Sequence, residues 1–90
     1  MDTVCKYYNV KKSDLIGKKK NKEIVDPRQI CIYLITELLD IPLMTIGAAF
    51  GGRDHTTIMH ARDKIAQNIK TNRSLKTNID DLIVMIKSDN

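Results

Sequence analysis

The sequence has few of the residues that build β-sheets, secreted scaffolds and membrane spans. Its 90 residues include no Trp and only four aromatic side chains, and no stretch alternates apolar with polar residues over the length of a strand. Cys5 and Cys31 are too few for a disulfide-stapled scaffold, so we interpret both as buried, reduced thiols. No apolar run approaches the about 20 residues of a membrane helix, and no basic segment followed by an apolar stretch opens the chain. These absences predict a cytoplasmic, all-α domain.

The size and charge of the chain further restrict the class of protein. A chain of 90 residues has room for one hydrophobic core, and 42% hydrophobic with 29% charged residues is typical of a folded domain. Residues 1–28 contain eight Lys or Arg against four acids, whereas residues 29–90 balance at seven against seven. The whole net charge of +4 therefore lies in the first third, where it can form a local patch suited to a polyanion.

Apolar spacing, prolines, glycines and capping residues predict about six helices. Asp26-Pro27 has the pattern of a helix start, because Asp accepts from free first-turn amides and Pro lacks a donor that would be unpaired there anyway. Ser74 is the expected cap of the last helix. Met1 directly precedes residues typical of a helix already under way, which indicates a domain excised from a longer protein. The predicted helical segments are 2–8, 14–16, 27–39, 43–50, 55–72 and the residues after 74.

A short helix, a glycine turn and a longer helix follow one another in the second half of the chain. Residues 43–50 lead into Gly51-Gly52-Arg53, and a helix capped by Asp54 follows. This order is typical of a helix-turn-helix, whose second helix places its N-terminal end in a DNA major groove. A helical hairpin that only packs has the same spacing and is the alternative.

The first turn of the longer helix is rich in groups that recognise bases. Arg53 can donate two hydrogen bonds to guanine, Asp54 can accept from cytosine, and His55, Thr56 and Thr57 can bond base edges or phosphate. The free amides of a helix N-terminus also attract phosphate. The alternatives are that Asp54 only caps the helix and that Arg53 is a solvated charge.

A basic run and two later groups extend this candidate surface. Residues 18–22, which hold four lysines and no apolar residue, must form an exposed loop that either contacts nucleic acid or is simply solvated. Arg28 and Gln29 lie where a first helical turn can contact phosphate. His60 either faces the phosphates or is a satisfied histidine near the core.

Two stretches carry a specific resemblance. Residues 51–61, Gly-Gly-Arg-Asp-His-Thr-Thr-Ile-Met-His-Ala, with Pro-Arg-Gln-Ile at 27–30, closely resemble the signature of the C-terminal domain of the bacterial chromosomal replication initiator DnaA family. The resemblance covers nearly the whole chain. It implies a compact, Trp-repressor-like helical domain that binds short double-stranded DNA boxes at the replication origin, one monomer per box. It also implies that this domain has no cofactor, and that ATP and contacts with other initiator domains belong to a longer protein, of which residues 1–90 are one C-terminal domain.

The resemblance also assigns roles to particular residues. It implies major-groove base contacts by Asp54, His55 and Thr56, and contacts to the DNA backbone by a second set of residues that match the family's pattern. Lys20 falls where the family has an Arg in the minor groove, and because Lys is more strongly hydrated, we expect weaker minor-groove readout. The complete predicted DNA-binding set is Lys18, Lys19, Lys20, Lys22, Arg28, Gln29, Arg53, Asp54, His55, Thr56, Thr57 and His60, in which Thr57, His60, Arg28 and Gln29 are the backbone contacts.

Other classes of function fit the sequence less well. A zinc site built from both cysteines and both histidines is disfavoured, because His55 and His60 diverge by about 140° around a helix. No phosphate loop and no nucleophile with a base is present, so we expect no enzyme activity. A helical protein-interaction module and a dimeric transcription repressor stay open as alternatives.

Overall fold

The computed structural model describes residues 1–88 and contains six α-helices, with no strand in that range. This confirms the predicted all-α class and the number of helices. In chain order the helices are α1 (Asp2–Tyr8), α2 (Lys12–Ile16), α3 (Lys22–Leu38), α4 (Leu43–Ala49), α5 (His55–Ile69) and α6 (Arg73–Ser88). None of them has the length and apolar character needed to cross a bilayer.

The central helix is α3, which packs against each of the other five helices. Its apolar residues Ile30, Cys31 and Leu34 recur at helical spacing and are buried, so one face of α3 forms the middle of the core. Every other helix, or the residue that ends it, adds at least one enclosed side chain to this core. The largest fully buried side chains are Phe50, Leu15, Ile32, Ile58, Leu82, Val4 and Cys31.

The predicted start of α3 at Asp26-Pro27 is wrong. The helix begins at Lys22, after Asn21 in an extended conformation, and Pro27 lies in its second turn. Pro27 cannot donate a helical hydrogen bond there, but Pro27 and Ile24 are both buried. Burial of these side chains therefore outweighs the lost hydrogen bond, and the helix is extended by more than one turn towards the lysine loop. The prediction that Arg28 and Gln29 lie in the first turn is wrong for the same reason, because both residues fall in the second turn of α3.

The predicted cap of the last helix is also wrong. The Oδ1 atom of Asn72 accepts a hydrogen bond of 3.0 Å from the N–H of Leu75, and α6 begins at Arg73. Ser74 is therefore already inside the first turn. Since α5 ends at Ile69, a short connection brings α6 back against the core.

Candidate nucleic-acid interface

The predicted helix-turn-helix consists of α4, the turn at residues 50–54 and α5. Gly51 and Gly52 have φ angles of 75° and 80°, in the left-handed region that favours glycine. The paired glycines therefore turn the chain sharply between the two helices, as their position in the sequence predicts.

A third glycine, Gly47 inside α4, is equally important for this turn and is a residue that sequence reasoning missed. Its carbonyl accepts hydrogen bonds from the N–H groups of Phe50, Gly52 and Arg53, at 3.1, 3.1 and 2.9 Å. A Cβ atom added to Gly47 would collide with the carbonyl oxygen of Arg53 and would also contact Ile58 at 3.5 Å. The chain leaving the turn thus runs directly across the Gly47 backbone, a contact that no local pattern in the sequence reveals.

The N-terminal tip of α5 is open to solvent. Asp54 is the N-cap, and its Oδ1 atom accepts a hydrogen bond of 2.9 Å from the N–H of Thr57. That hydrogen bond lowers the pKa of Asp54, so the carboxylate stays ionised. His55, Thr56 and Thr57 are exposed, as is His60 one turn later. The tip therefore presents imidazole, hydroxyl and carboxylate groups outward, in addition to capping the helix.

The basic loop, residues 18–21, connects α2 to α3 and is exposed along its length. The predicted loop of residues 18–22 is one residue too long, because Lys22 is the first residue of α3. Lys19 pairs with Asp14, with Nζ and Oδ1 3.0 Å apart, and this hydrogen bond lowers the pKa of the Asp14 carboxyl. Within residues 1–88, Lys18, Lys20 and Lys22 form no ion pair. Three of the four predicted lysines therefore keep their charge available to a ligand.

The two predicted arginines differ from the lysines, because their guanidinium groups are bonded to the protein itself. Arg28 is only 7% exposed, and burial, together with the nearby charge of Arg53, lowers its pKa. Both guanidinium groups donate to backbone carbonyls at the C-terminal end of α2. A DNA contact by either arginine stays a prediction, and each already has a role in the fold.

Two neighbouring grooves bring together seven of the twelve predicted residues, whereas Lys19, Lys22, Asp54, His55 and Thr56 line neither of them. The loop and the turn share the first groove, and α3 and α5 form the second. Arg28 and Arg53 line both grooves and so join them. The first groove is also lined by Lys18, Lys20, Gly51 and Gly52. The second is also lined by Gln29, Thr57, His60 and Lys64.

Lys64 is a second residue that sequence reasoning missed. It is exposed on α5, follows His60 by four residues, and shares the groove with His60 and Thr57. Residues spaced this way on a helix lie on the same side, so the spacing from His60 was the available signal. Lys64 extends the positive surface along α5, away from the tip.

The side chains considered for a zinc site are not gathered in one place. Among residues 1–88, no three His, Cys, Asp or Glu side chains come together in a group that could hold a metal ion. Cys5 and Cys31 are both free thiols, as predicted, but Cys5 is only partly buried, so the prediction that both are buried holds for Cys31 alone. Burial raises the pKa of Cys31 to about 11, which keeps this thiol protonated and unreactive.

Six packed helices, in which a short helix, a glycine turn and a longer helix present an exposed tip, define a domain of the helix-turn-helix class. Residues 1–65 match the family model described as bacterial dnaA protein helix-turn-helix. The chain belongs to this family.

Curated relatives agree with this assignment. The chain is similar to the chromosomal replication initiator protein DnaA of Oenococcus oeni, with 55% identity over 94% of the chain and 19% of the relative. The protein of the same name from Lactiplantibacillus plantarum has 49% identity over 97% of the chain and 19% of that relative. The one from Levilactobacillus brevis has 52% identity over 90% of the chain and 18% of that relative. The chain thus spans about a fifth of the length of these relatives.

Proposed function

We propose that this chain binds double-stranded DNA at short replication-origin boxes, one monomer per box, and so serves the initiation of chromosomal replication. In this proposal the tip of α5 enters the major groove, and the basic loop reaches toward the adjacent minor groove. The observation that carries it is the shared face, on which the loop and the glycine turn line one groove and α5 lines the next. One duplex can then touch both elements. Membership of the DnaA family and the names of the relatives support the same function.

Base recognition is assigned to Asp54, His55 and Thr56 at the exposed tip. The ionised Asp54 can accept a hydrogen bond from cytosine, while His55 and Thr56 offer donors and a methyl group to base edges. A good contact of this kind discriminates between bases by about 1–3 kcal/mol. Loss of one such side chain should therefore reduce the preference for the box more than it reduces binding to DNA in general.

Affinity is assigned mainly to phosphate contacts. Lys18, Lys20 and Lys22 form no ion pair with a carboxylate of residues 1–88, and Lys64 adds a further positive charge on α5. Each phosphate neutralised by such a residue releases counterions, so binding should weaken steeply as salt rises. Gln29, Thr57 and His60 line the groove beside Lys64 and are assigned to the DNA backbone as well, with Lys19 in a lesser role because it is paired with Asp14.

Selection of DNA duplexes by the protein, followed by binding measurements, tests the proposal. Duplexes with a randomised centre are selected on the domain, and binding of the selected duplex and a base-shuffled copy is measured by fluorescence anisotropy at two salt concentrations. We expect His55→Ala to remove most of the preference for the selected duplex, and Lys18→Ala to weaken both duplexes alike and to flatten the salt slope by about one. Lys87→Ala, at the far end of α6, is the matched control for loss of one positive charge.

The result also separates the alternatives. A protein-interaction module would bind neither duplex at low salt. A dimeric repressor would select a two-fold symmetric sequence and sediment as two copies per duplex, whereas we expect one. Equal losses on both duplexes for His55→Ala would contradict base recognition by that residue.

Activities of the whole initiator lie outside these 90 residues in this proposal. Nucleotide binding is assigned to another part of a longer protein, and the present chain is assigned only the recognition of DNA.

A further inference from the structure

The C-terminal end of α2 is held in an unusual way. Four successive carbonyls there, those of Asp14, Leu15, Ile16 and Gly17, accept hydrogen bonds from just two side chains. Such carbonyls have no partner within a short helix, and they carry the partial negative charge of the helix end. The two guanidinium groups supply both the missing hydrogen bonds and a compensating positive charge.

The two arginines divide these carbonyls between them. Arg28 donates from Nε to the Leu15 carbonyl at 2.7 Å and from Nη2 to the Asp14 carbonyl at 2.8 Å. Arg53 donates to the next two carbonyls, from Nη1 to Ile16 at 3.3 Å and from Nη2 to Gly17 at 2.5 Å. The basic loop begins immediately after the last of these carbonyls.

Arg53 also ties this end of α2 to the helix-turn-helix. Its Nη1 atom donates to the carbonyl of Phe50, the residue that ends α4, at 2.5 Å. One guanidinium group therefore joins the C-terminal ends of α2 and α4. The contact is reinforced at Gly51, where an added Cβ atom would collide with the Ile16 carbonyl oxygen.

The loop has little else to hold it in place. Lys18, Lys19 and Lys20 are exposed, and within residues 1–88 their backbone N–H groups make no hydrogen bond to another backbone carbonyl. The ion pair between Lys19 and Asp14 returns to α2 itself, so it adds no independent contact with the helix-turn-helix. The position of the loop relative to the tip of α5 thus depends on how the end of α2 is anchored.

We propose that Arg28 and Arg53 are positioning residues, which set the distance between the basic loop and the tip of α5 by clamping the end of α2 against the glycine turn. The inference rests on the proposed function, because it concerns how one duplex meets two recognition elements. Both arginines influence DNA binding by holding the basic loop in place, and Arg53 alone joins the C-terminal ends of α2 and α4. Lys cannot replace Arg53, since an ammonium group lacks the planar set of donors that spans three carbonyls on two helix ends.

The first test is a double-mutant cycle between Arg53→Lys and Lys20→Ala, measured on the selected duplex. Arg53→Lys keeps the positive charge, but it would also remove a direct bidentate contact of Arg53 with DNA, so geometry is reported by its coupling to Lys20→Ala and not by its own loss of affinity. We expect Lys20→Ala to weaken binding less in the Arg53→Lys background than in the wild type, by at least about twofold, the lower limit for residues that share one network. Strictly multiplicative losses would overturn the proposal.

The second test needs no DNA and follows the loop directly. Backbone ¹⁵N relaxation should show greater mobility of Lys18–Lys20 in Arg53→Lys than in the wild type, with His55 at the tip of α5 unchanged. A loop equally ordered in both proteins would refute the clamp. Failure to select any duplex would refute the proposed function. The relaxation measurement would still test whether the two arginines hold the loop in place.

A pair of glycine variants provides a matched control. Gly51→Ala and Gly52→Ala both place an Ala at a positive φ, but a Cβ atom at Gly52 meets nothing within 4 Å, whereas one at Gly51 meets the Ile16 carbonyl. We expect Gly51→Ala to shift the loop resonances and Gly52→Ala to leave them in place. Equal shifts in the two variants would show that the contact of Gly51 with the Ile16 carbonyl does not set the position of α2.

Discussion

Gly47→Ala gives the sharpest test of how α4 and α5 are joined. In an unobstructed helix the change would stabilise the protein by about 1 kcal/mol, because Ala loses less backbone entropy than Gly. Here the new methyl group would collide with the Arg53 carbonyl, so the chain after the turn must move away from α4. That movement strains the three hydrogen bonds to the Gly47 carbonyl.

The expected change in the free energy of unfolding follows from these competing effects. Overpacking of a close contact costs about 1–3 kcal/mol, and each hydrogen bond lost to the Gly47 carbonyl costs about 1 kcal/mol. With two of the three bonds broken and the helix gain subtracted, the free energy of unfolding should fall by about 2–4 kcal/mol. A domain of this size has about 5–15 kcal/mol to lose, so the variant should still fold.

Urea unfolding followed by circular dichroism measures this loss. Ala48→Gly is the matched control, because Ala48 is the exposed neighbour in α4 and its replacement reports the helix-propensity difference alone. We expect Ala48→Gly to cost about 1 kcal/mol, clearly less than Gly47→Ala. A Gly47→Ala protein as stable as the wild type, or more stable, would refute the close approach of Arg53 to α4.

Three further predictions concern the ends of α5, α6 and the positive surface. Asn72→Ala should lower the free energy of unfolding by about 1 kcal/mol, while Ser74→Ala should leave it nearly unchanged, because Asn72 bonds the first-turn amide of α6; urea titration of both variants checks this. The Thr57 amide lowers the pKa of Asp54, so the stability due to its charge is present above the ordinary aspartate pKa of 3.8 and disappears as pH falls through the lower folded-state value. Wild type and Asp54→Asn should therefore differ in unfolding free energy at neutral pH and converge in strong acid; a constant difference would contradict this. Lys64→Ala should reduce the salt slope of DNA binding by about one with the preference for the selected duplex intact, and an unchanged slope would remove Lys64 from the surface.

Local patterns were sufficient for a large part of the fold. The periodic apolar residues identified six helices, the paired glycines marked the turn, and Asp54 was correctly predicted as a helix cap. Each of these features depends on residues only a few positions apart, so the chain carries the necessary information locally. The lysine run was expected to be exposed for the same reason, since it has no apolar side chain to bury.

Local patterns failed where a distant contact decided the outcome. Asp26-Pro27 has the pattern of a helix start, yet α3 extends back to Lys22, and Ile24 in the added turn is buried. The close approach of Arg53 to Gly47 was invisible because any glycine in a short helix has the same local pattern. The DNA-contact roles of the twelve predicted residues stay predictions for the binding experiments.

By itself, the sequence determined an all-helical domain with one basic segment and one helix-turn-helix, because helix periodicity, turn glycines and charge are properties of neighbouring residues. Only the tertiary structure decided that these two elements lie side by side. Arg28 reaches a carbonyl 13 residues away and Arg53 reaches others 36 and 37 residues away, and such contacts require the packing of the other helices around α3. Their partners are backbone carbonyls, which every residue possesses, so no side-chain pattern in the sequence identifies which ones an arginine will find.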